Sequence, residues 1–84
     1  MNKLREVLAE RAHESWSHWM EYLFSTCTHD DNGSMTIPST KVDHWTRQMN
    51  TIYDDLSEKE KESDRQEADK TLIALKKLFP RNEL

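Results

Sequence analysis

The sequence has little cysteine, glycine or proline and a small share of apolar residues. Its 84 residues include one cysteine, one glycine and two prolines, and only 35% are hydrophobic. Because Cys27 has no partner for an internal disulfide and suits a reducing compartment, we expect a cytoplasmic protein. With a single glycine the chain lacks the material for a phosphate-binding glycine loop.

Long apolar runs and a surplus of basic residues are also missing. The longest apolar stretches, such as 72–75, fall far short of the roughly 20 residues that span a bilayer. The pattern of a signal peptide, a basic start followed by an apolar run, is not found. The net charge of −4 argues against binding to nucleic-acid backbones. We therefore expect no membrane, DNA or RNA partner, whereas a small anionic ligand would need only two or three placed cations.

The apolar residues that are present include three tryptophans and recur at helical spacing. An amphipathic helix is predicted over residues 2–25, with most of its charged residues, Arg11 among them, on the side opposite the apolar stripe. That stripe consists of Leu4, Val7, Leu8, Ala12, Trp16, Trp19, Met20 and Leu23. The polar cluster at 26–34, which contains Gly33, predicts a turn.

A second helix follows a short β-prone segment. Met35–Ile37 precedes Pro38, so it can form at most a brief edge strand. We predict a helix from there to about residue 48, with Ser39 or Thr40 as its cap and Asp43 in its first turn.

A third helix is predicted from 58 to about Phe79, with Pro80 closing it. Ser57 and Glu60 have the spacing of a capping box. Its apolar stripe consists of Ala68, Leu72, Leu75 and Phe79. The predicted fold is therefore mainly α, a compact single domain over residues 1–84 with three helices and a short irregular or β-like connector.

Charged residues continue the apolar stripe of the third helix towards its start. Stepping back from Ala68 by three and four residues reaches Lys61, Asp64 and Arg65. Charges on a core-facing side cost several kcal/mol unless they are paired, so these three form either a structural ion-pair cluster or the polar wall of a pocket. Three acidic neighbours should point away into solvent: Glu58, Glu62 and Glu67.

The tryptophans divide between core and site. Trp16 and Trp19 are three residues apart and cannot both occupy the centre of one narrow stripe. We assign Trp19 and Trp45 to the core and Trp16 to a pocket rim, where an indole could stack on a planar ligand such as a nucleobase. His13, one turn before Trp16, should be half-exposed and hydrogen-bonded.

Metal binding and catalysis have no comparable support. His13 and His18 point to different sides of a helix, and no zinc spacing is present. The segment around Asp30 and Gly33 resembles a calcium loop only faintly, because the first and twelfth positions lack carboxylates. Without a nucleophile motif either, we expect no metal, no cofactor and no enzymatic activity.

Two blocks of the sequence resemble the RyR domain, the repeat named from ryanodine receptors. LAERAHESW (8–16) is followed by aromatic residues at Trp19 and Tyr22, and the second block is YDDLSEKEKESDRQEADKTL (53–72). The resemblance covers about a third of the chain and implies a mainly helical fold of the small stand-alone type of bacteria and phages. For a phage protein the location would be the host cytoplasm. The chain departs from the family pattern where the Asp30–Ile37 segment replaces the usual aromatic turn.

The resemblance also implies a ligand. A paired RyR module resembles an adenine-nucleotide site, and the matching positions imply Trp16 as stacking residue with His13 beside it. Lys61, Asp64 and Arg65 would form the polar wall. The expected ligand-binding residues are His13, Trp16, Trp19, Tyr53, Lys61, Asp64 and Arg65.

The leading hypothesis is a non-catalytic protein that binds, and could sequester, a nucleotide or nucleotide-derived signal. Since receptor repeats work in pairs, a homodimer with the ligand near its two-fold axis is expected. The alternatives are a protein-interaction adaptor that uses the same aromatic and basic surface, and a purely structural domain with an internal ion-pair network.

Overall fold

Three segments free of glycine and proline form the helices of this protein. The structure, a computed structural model, describes residues 2–79. Its elements in chain order are α1 (Lys3–Thr26), β1 (Thr28–His29), β2 (Met35–Thr36), α2 (Ser39–Met49), a short 3-10 helix (Tyr53–Asp55) and α3 (Glu58–Leu78). The predicted class, mainly α with three helices and a short β-like connector, is confirmed. Pro80, predicted to close the third helix, lies outside the described residues.

Local side-chain bonds set both ends of α1. The Asn2 side chain accepts a hydrogen bond from the Arg5 backbone N–H at 3.2 Å, which caps the first turn. At the other end the Thr26 hydroxyl donates to the Leu23 carbonyl at 2.8 Å, and Cys27 is already extended. Hydroxyl bonds of this kind compete with the helical backbone pattern and suit a helix end.

A two-stranded antiparallel hairpin connects α1 to α2. Thr28 pairs with Thr36 and His29 with Met35, so the predicted β-prone segment does form a brief strand. Gly33 takes a φ of +89°, which side chains larger than glycine rarely adopt. The single glycine therefore lies where the turn requires it.

The start of α2 differs from the prediction. Pro38 is the N-cap, its carbonyl accepts from the Lys41 and Val42 N–H groups, and no side chain caps the helix. Ser39 is already the first helical residue, and Asp43 lies beyond the first turn. The predicted cap and dipole contacts were wrong, because the extended Pro38 leads directly into the helix.

The capping box of α3 is present as predicted. The Ser57 hydroxyl accepts from the Glu60 backbone N–H at 3.2 Å, and the Glu60 carboxylate accepts from the Ser57 backbone N–H at 3.1 Å. Two backbone donors of the first turn are thereby satisfied.

Removing the cap should destabilise the protein measurably. We expect Ser57→Ala to lower the free energy of unfolding by about 1 kcal/mol. Ser63→Ala, at an exposed position inside α3, should leave it unchanged or raise it slightly, because alanine is the better helix former. Urea titration followed by circular dichroism measures both, and equal effects would contradict the role of the cap.

α1 and α3 form an antiparallel pair, and α2 lies across its open end. Arg11 bonds to Thr71 and Glu67, whereas the later residue Tyr22 lines a groove with residues from the start of α3. α2 contacts α1 through Trp45 and α3 through an ion pair of Arg47.

The hydrogen bonds that join α1 to α3 come from polar side chains centred on Arg11. Within residues 2–79 Arg11 is the only buried residue, at 6% exposure, and no hydrophobic side chain is buried. The predicted stripe of α3 does not face α1, because Ala68 and Leu72 are exposed and Leu75 is only half-buried.

The prediction that Trp19 and Trp45 form the core is wrong. Trp19 is exposed and Trp45 half-buried, so neither forms a closed core. Over the described part of the chain, no helix is both long enough and apolar enough to cross a membrane.

Candidate functional site

An open groove of about 1080 Å³ lies where the three helices diverge. α1 contributes its C-terminal half, α3 its N-terminal half, and α2 forms the third wall. We call it the three-helix groove and define it by six of its lining residues: Trp19, Tyr22, Lys41, Trp45, Lys59 and Asp64.

One wall of the three-helix groove is aromatic. The Trp19 ring lies 5.2 Å from the Trp45 ring in an edge-to-face arrangement and 5.5 Å from the Tyr22 ring. Tyr22 and Trp45 complete the triangle at 6.4 Å. Such contacts stabilise the seating of α2 on α1. Because the Trp19 and Tyr22 side chains stay exposed, part of their aromatic surface is available to a ligand.

Glu60 of α3 pairs with two basic side chains of α2 in the groove. Its Oε2 accepts from Arg47 Nη2 at 2.8 Å and lies 3.5 Å from His44 Nε2. The hydrogen bond from Arg47, with further bonds from the Ser57 backbone and hydroxyl, lowers the pKa of Glu60 from 4.5 to about 2. By contrast, Lys41 and Lys59 form no ion pair with any other residue in the described part of the chain.

Arg11 and Glu67 join α1 to α3 next to the groove. Arg11 Nη2 donates to Glu67 Oε1 at 2.9 Å, Nη1 donates to Glu14 at 2.9 Å, and Nε donates to the Thr71 hydroxyl at 3.3 Å. The Ser15 hydroxyl donates to the same Glu67 oxygen at 2.7 Å. We call these residues the Arg11 network. All three nitrogens of the Arg11 guanidinium donate hydrogen bonds, as a buried charge requires.

The pKa values within the Arg11 network move as the pairing requires. Hydrogen bonds from Ser15, Lys70 and Arg11 lower the pKa of Glu67 from 4.5 to about 2. The hydrogen bond to Glu67 raises the pKa of Arg11 further above its ordinary value. Both groups are therefore charged at neutral pH.

The predictions for both partners of this ion pair are wrong. Arg11 lies between the helices and not on the solvated side of α1, and Glu67 points towards α1 and not away from it. A signal was present, since Arg11 follows Val7 by four residues and precedes Ser15 by four, so it lies on the same helical face. The pairing partner on α3 had no comparable signal in the sequence.

His13 and Trp16 lie together on the exposed side of α1. Their ring centroids are 6.1 Å apart at an angle of 25°, and His13 Nε2 lies 3.5 Å from the Ser17 hydroxyl. Trp16 is 59% exposed, so it lies outside the core as predicted. His13 is exposed rather than half-exposed.

Tyr53, Lys61 and Arg65 form a second group beside the start of α3. Lys61 Nζ lies 5.8 Å from the Tyr53 ring centroid and 3.8 Å from Glu58 Oε1. Arg65 Nη1 lies 3.3 Å from Glu58 Oε2. This hydrogen bond is the main cause that raises the pKa of Arg65, and the interaction with the nearby Tyr53 is the second.

The expected core-facing position of the three charged residues is confirmed only in part. Lys61 is half-buried, whereas Asp64 and Arg65 are exposed. The cations pair with Glu58, and no salt bridge joins either of them to Asp64 in the part of the chain that is described.

The seven expected site residues are divided among three places. Trp19 and Asp64 line the three-helix groove, and His13 and Trp16 share one surface of α1. Tyr53, Lys61 and Arg65 lie together beside the start of α3. Among residues 2–79, no three histidine, cysteine or acidic side chains are grouped closely enough to hold a metal ion. The groove residues that the sequence missed are Tyr22, Lys41, Trp45 and Lys59.

Comparisons with known proteins give no further assignment. The chain matches no family model, and it shows no significant match to a curated protein or to a solved structure. The resemblance to the RyR domain therefore stays a prediction based on the two sequence blocks.

Proposed function

We propose that the protein is a non-catalytic binding protein whose three-helix groove holds a planar anionic small molecule of the nucleotide type. The observation that carries the proposal is the combination, in one groove, of exposed aromatic side chains with two lysines that form no ion pair within residues 2–79. Compared with the sequence-based hypothesis, the stacking residue moves from Trp16 to the Trp19, Tyr22 and Trp45 cluster.

The aromatic wall suits a nucleobase. Base stacking on an aromatic side chain contributes about 1 to 3 kcal/mol per base and tolerates any base. Trp19 and Tyr22 present their rings next to each other, at an angle of 36°, and both are exposed. A base can therefore reach them without displacing α2.

The lysines suit a phosphate. Lys41 and Lys59 lie on different helices, α2 and α3, and both line the groove. Charged donors form the strongest hydrogen bonds to a phosphate, and donors already bonded to a carboxylate would have to break that bond first. Lys41 and Lys59 carry no such bond among the described residues, whereas Arg47 and Lys70 do.

Tryptophan fluorescence of the Trp16→Phe variant tests the proposal, because Trp19 and Trp45 then supply the whole signal. We expect AMP, ADP, ATP or a cyclic nucleotide to quench it in a saturable way. In this background Tyr22→Leu keeps both reporters and should weaken binding by roughly fivefold or more, given the stacking contribution of about 1 to 3 kcal/mol.

Lysine variants separate a specific site from general charge. Lys41→Gln and Lys59→Gln should each weaken nucleotide binding. Lys76→Gln, an exposed control on the last turn of α3, should bind the nucleotide as the parent protein does. Chromatography should recover the nucleotide unchanged after incubation, as expected of binding without catalysis. If no nucleotide alters the fluorescence or the melting temperature, the proposal is wrong.

A second candidate function is a protein-interaction adaptor, which the size of the groove favours. Small-molecule pockets measure roughly 300 to 1,000 Å³, and this groove, at about 1080 Å³, also has room for a peptide segment. A photo-crosslinking residue at Gln48 should then capture one defined protein in cell extract, and Trp45→Leu should abolish the capture. Under this candidate nucleotides would leave the fluorescence unchanged.

A further inference from the structure

The apolar stripes of α1 and α3 lie on the same side of the helix pair. Val7 and Glu10 of α1 and Ile73 and Lys77 of α3 line a small groove on one flank of the pair. Successive residues of an α-helix are 100° apart around its axis, so Leu8, next to Val7, and Leu72, next to Ile73, turn towards the opposite flank.

This second flank carries exposed apolar residues from both helices. We call it the apolar face and define it by Leu4, Leu8, Ala12, Trp16, Ala68 and Leu72. All six residues are exposed in the single chain. The side chains that a helical domain would use for its core are therefore on its surface, while the helix contact itself is made by the Arg11 network.

The dimensions of the chain agree with an uncovered face. Its accessible surface is 7018 Å², compared with about 5200 Å² for a typical folded chain of its 10.0 kDa mass. Its radius of gyration is 16.6 Å, compared with about 12 Å for a folded chain of this length. This excess surface, to which the open three-helix groove and the apolar face both contribute, is larger than the roughly 800 Å² per partner of a standard protein interface.

We propose that a second copy of this chain covers the apolar face in an isologous dimer. A helix pair with one apolar side is a single layer, and stable domains pack two such layers around a core. A two-fold axis through the face places the same α1 and α3 stripes of the partner against it, so each copy supplies the second layer for the other. Small Ala12 and Ala68 next to large Leu8 and Leu72 give the face both hollows and projections, as interlocking side chains require.

The dimer does not depend on the proposed nucleotide site. Leu8 and Leu72 do not line the three-helix groove. A variant that loses the dimer through Leu72 should therefore still show the nucleotide response, so failure of one proposal is distinguishable from failure of the other.

Sedimentation equilibrium at tens of micromolar tests the dimer with a matched pair of variants. The wild-type protein should have twice the 10.0 kDa chain mass. Leu72→Glu should have the mass of one chain. Ile73→Glu, the adjacent and more exposed position at 58% against 45%, lies on the other flank and should stay dimeric.

A second measurement on the wild-type protein keeps the proposal falsifiable if Leu72→Glu fails to fold. A dimer that contributes to folding raises the melting temperature with protein concentration. A wild-type protein that is helical, has the mass of one chain and melts at a constant temperature overturns the proposal. Dissociation by Ile73→Glu but not by Leu72→Glu would overturn the assigned face.

Discussion

Replacing Arg11 by alanine should lower the free energy of unfolding by about 2 to 3 kcal/mol, a large part of the total for a small domain. The guanidinium is buried and forms hydrogen bonds to Glu14, Ser15, Glu67 and Thr71. Breaking a fully buried ion pair costs about 3 to 5 kcal/mol. We expect less here because the Glu67 side chain keeps 34% exposure and a second partner in Lys70.

Matched variants separate this loss from a general effect of removing arginine. Arg5→Ala, at an exposed position of the same helix, should change stability by less than about 0.5 kcal/mol. Arg11→Lys should fall between the two, since lysine keeps the charge but lacks the planar fork of donors. Urea unfolding at one fixed protein concentration measures all three. A loss below about 1 kcal/mol in Arg11→Ala would mean that the network does not hold the helices together.

Two carboxylates with lowered pKa values, Glu67 in the Arg11 network and Glu60 beside Arg47, should make the protein unstable in acid. Glu67 and Glu60 have pKa values lowered from 4.5 to about 2 in the folded protein. A carboxyl group with a lowered pKa contributes stability that is complete above its unfolded pKa and is lost as the pH falls towards the folded pKa. We therefore expect the melting temperature to fall between about pH 4.5 and 2.

Glutamine variants assign the acid transition to particular carboxylates. Glu67→Gln and Glu60→Gln should each be less stable at neutral pH and show a shallower decline in acid. Glu62→Gln, an exposed control with no ion pair among the described residues, should follow the wild-type profile. If Glu67→Gln declines as steeply as the wild-type protein, protonation of this residue is not the cause.

The positions of the helices could be predicted because their signals are local. The capping box at Ser57 and Glu60 and the turn at Gly33 each act through residues within a few positions of one another. The one boundary predicted wrongly, the start of α2, also depends on a local choice, between a side-chain cap and the backbone of Pro38.

The candidate site could be predicted only in part because it combines residues from three helices. Trp19 and Asp64 were named, but Lys41 and Lys59 gave no signal of their own. A lysine on a polar helix face is ordinarily solvated, and only the placement of α2 against α1 and α3 puts these two in one groove.

By itself the sequence determined that this chain forms three helices, each with an apolar stripe, joined by a short hairpin and a polar connector. Only the tertiary structure decided which faces meet. The periodicity places Leu8 on the apolar side of α1 and Leu72 on the apolar side of α3. It does not decide whether those two sides pack against each other or against a partner. The pairing of Arg11 with Glu67, across 56 positions of sequence, directs the polar sides together and leaves the apolar face exposed in the single chain.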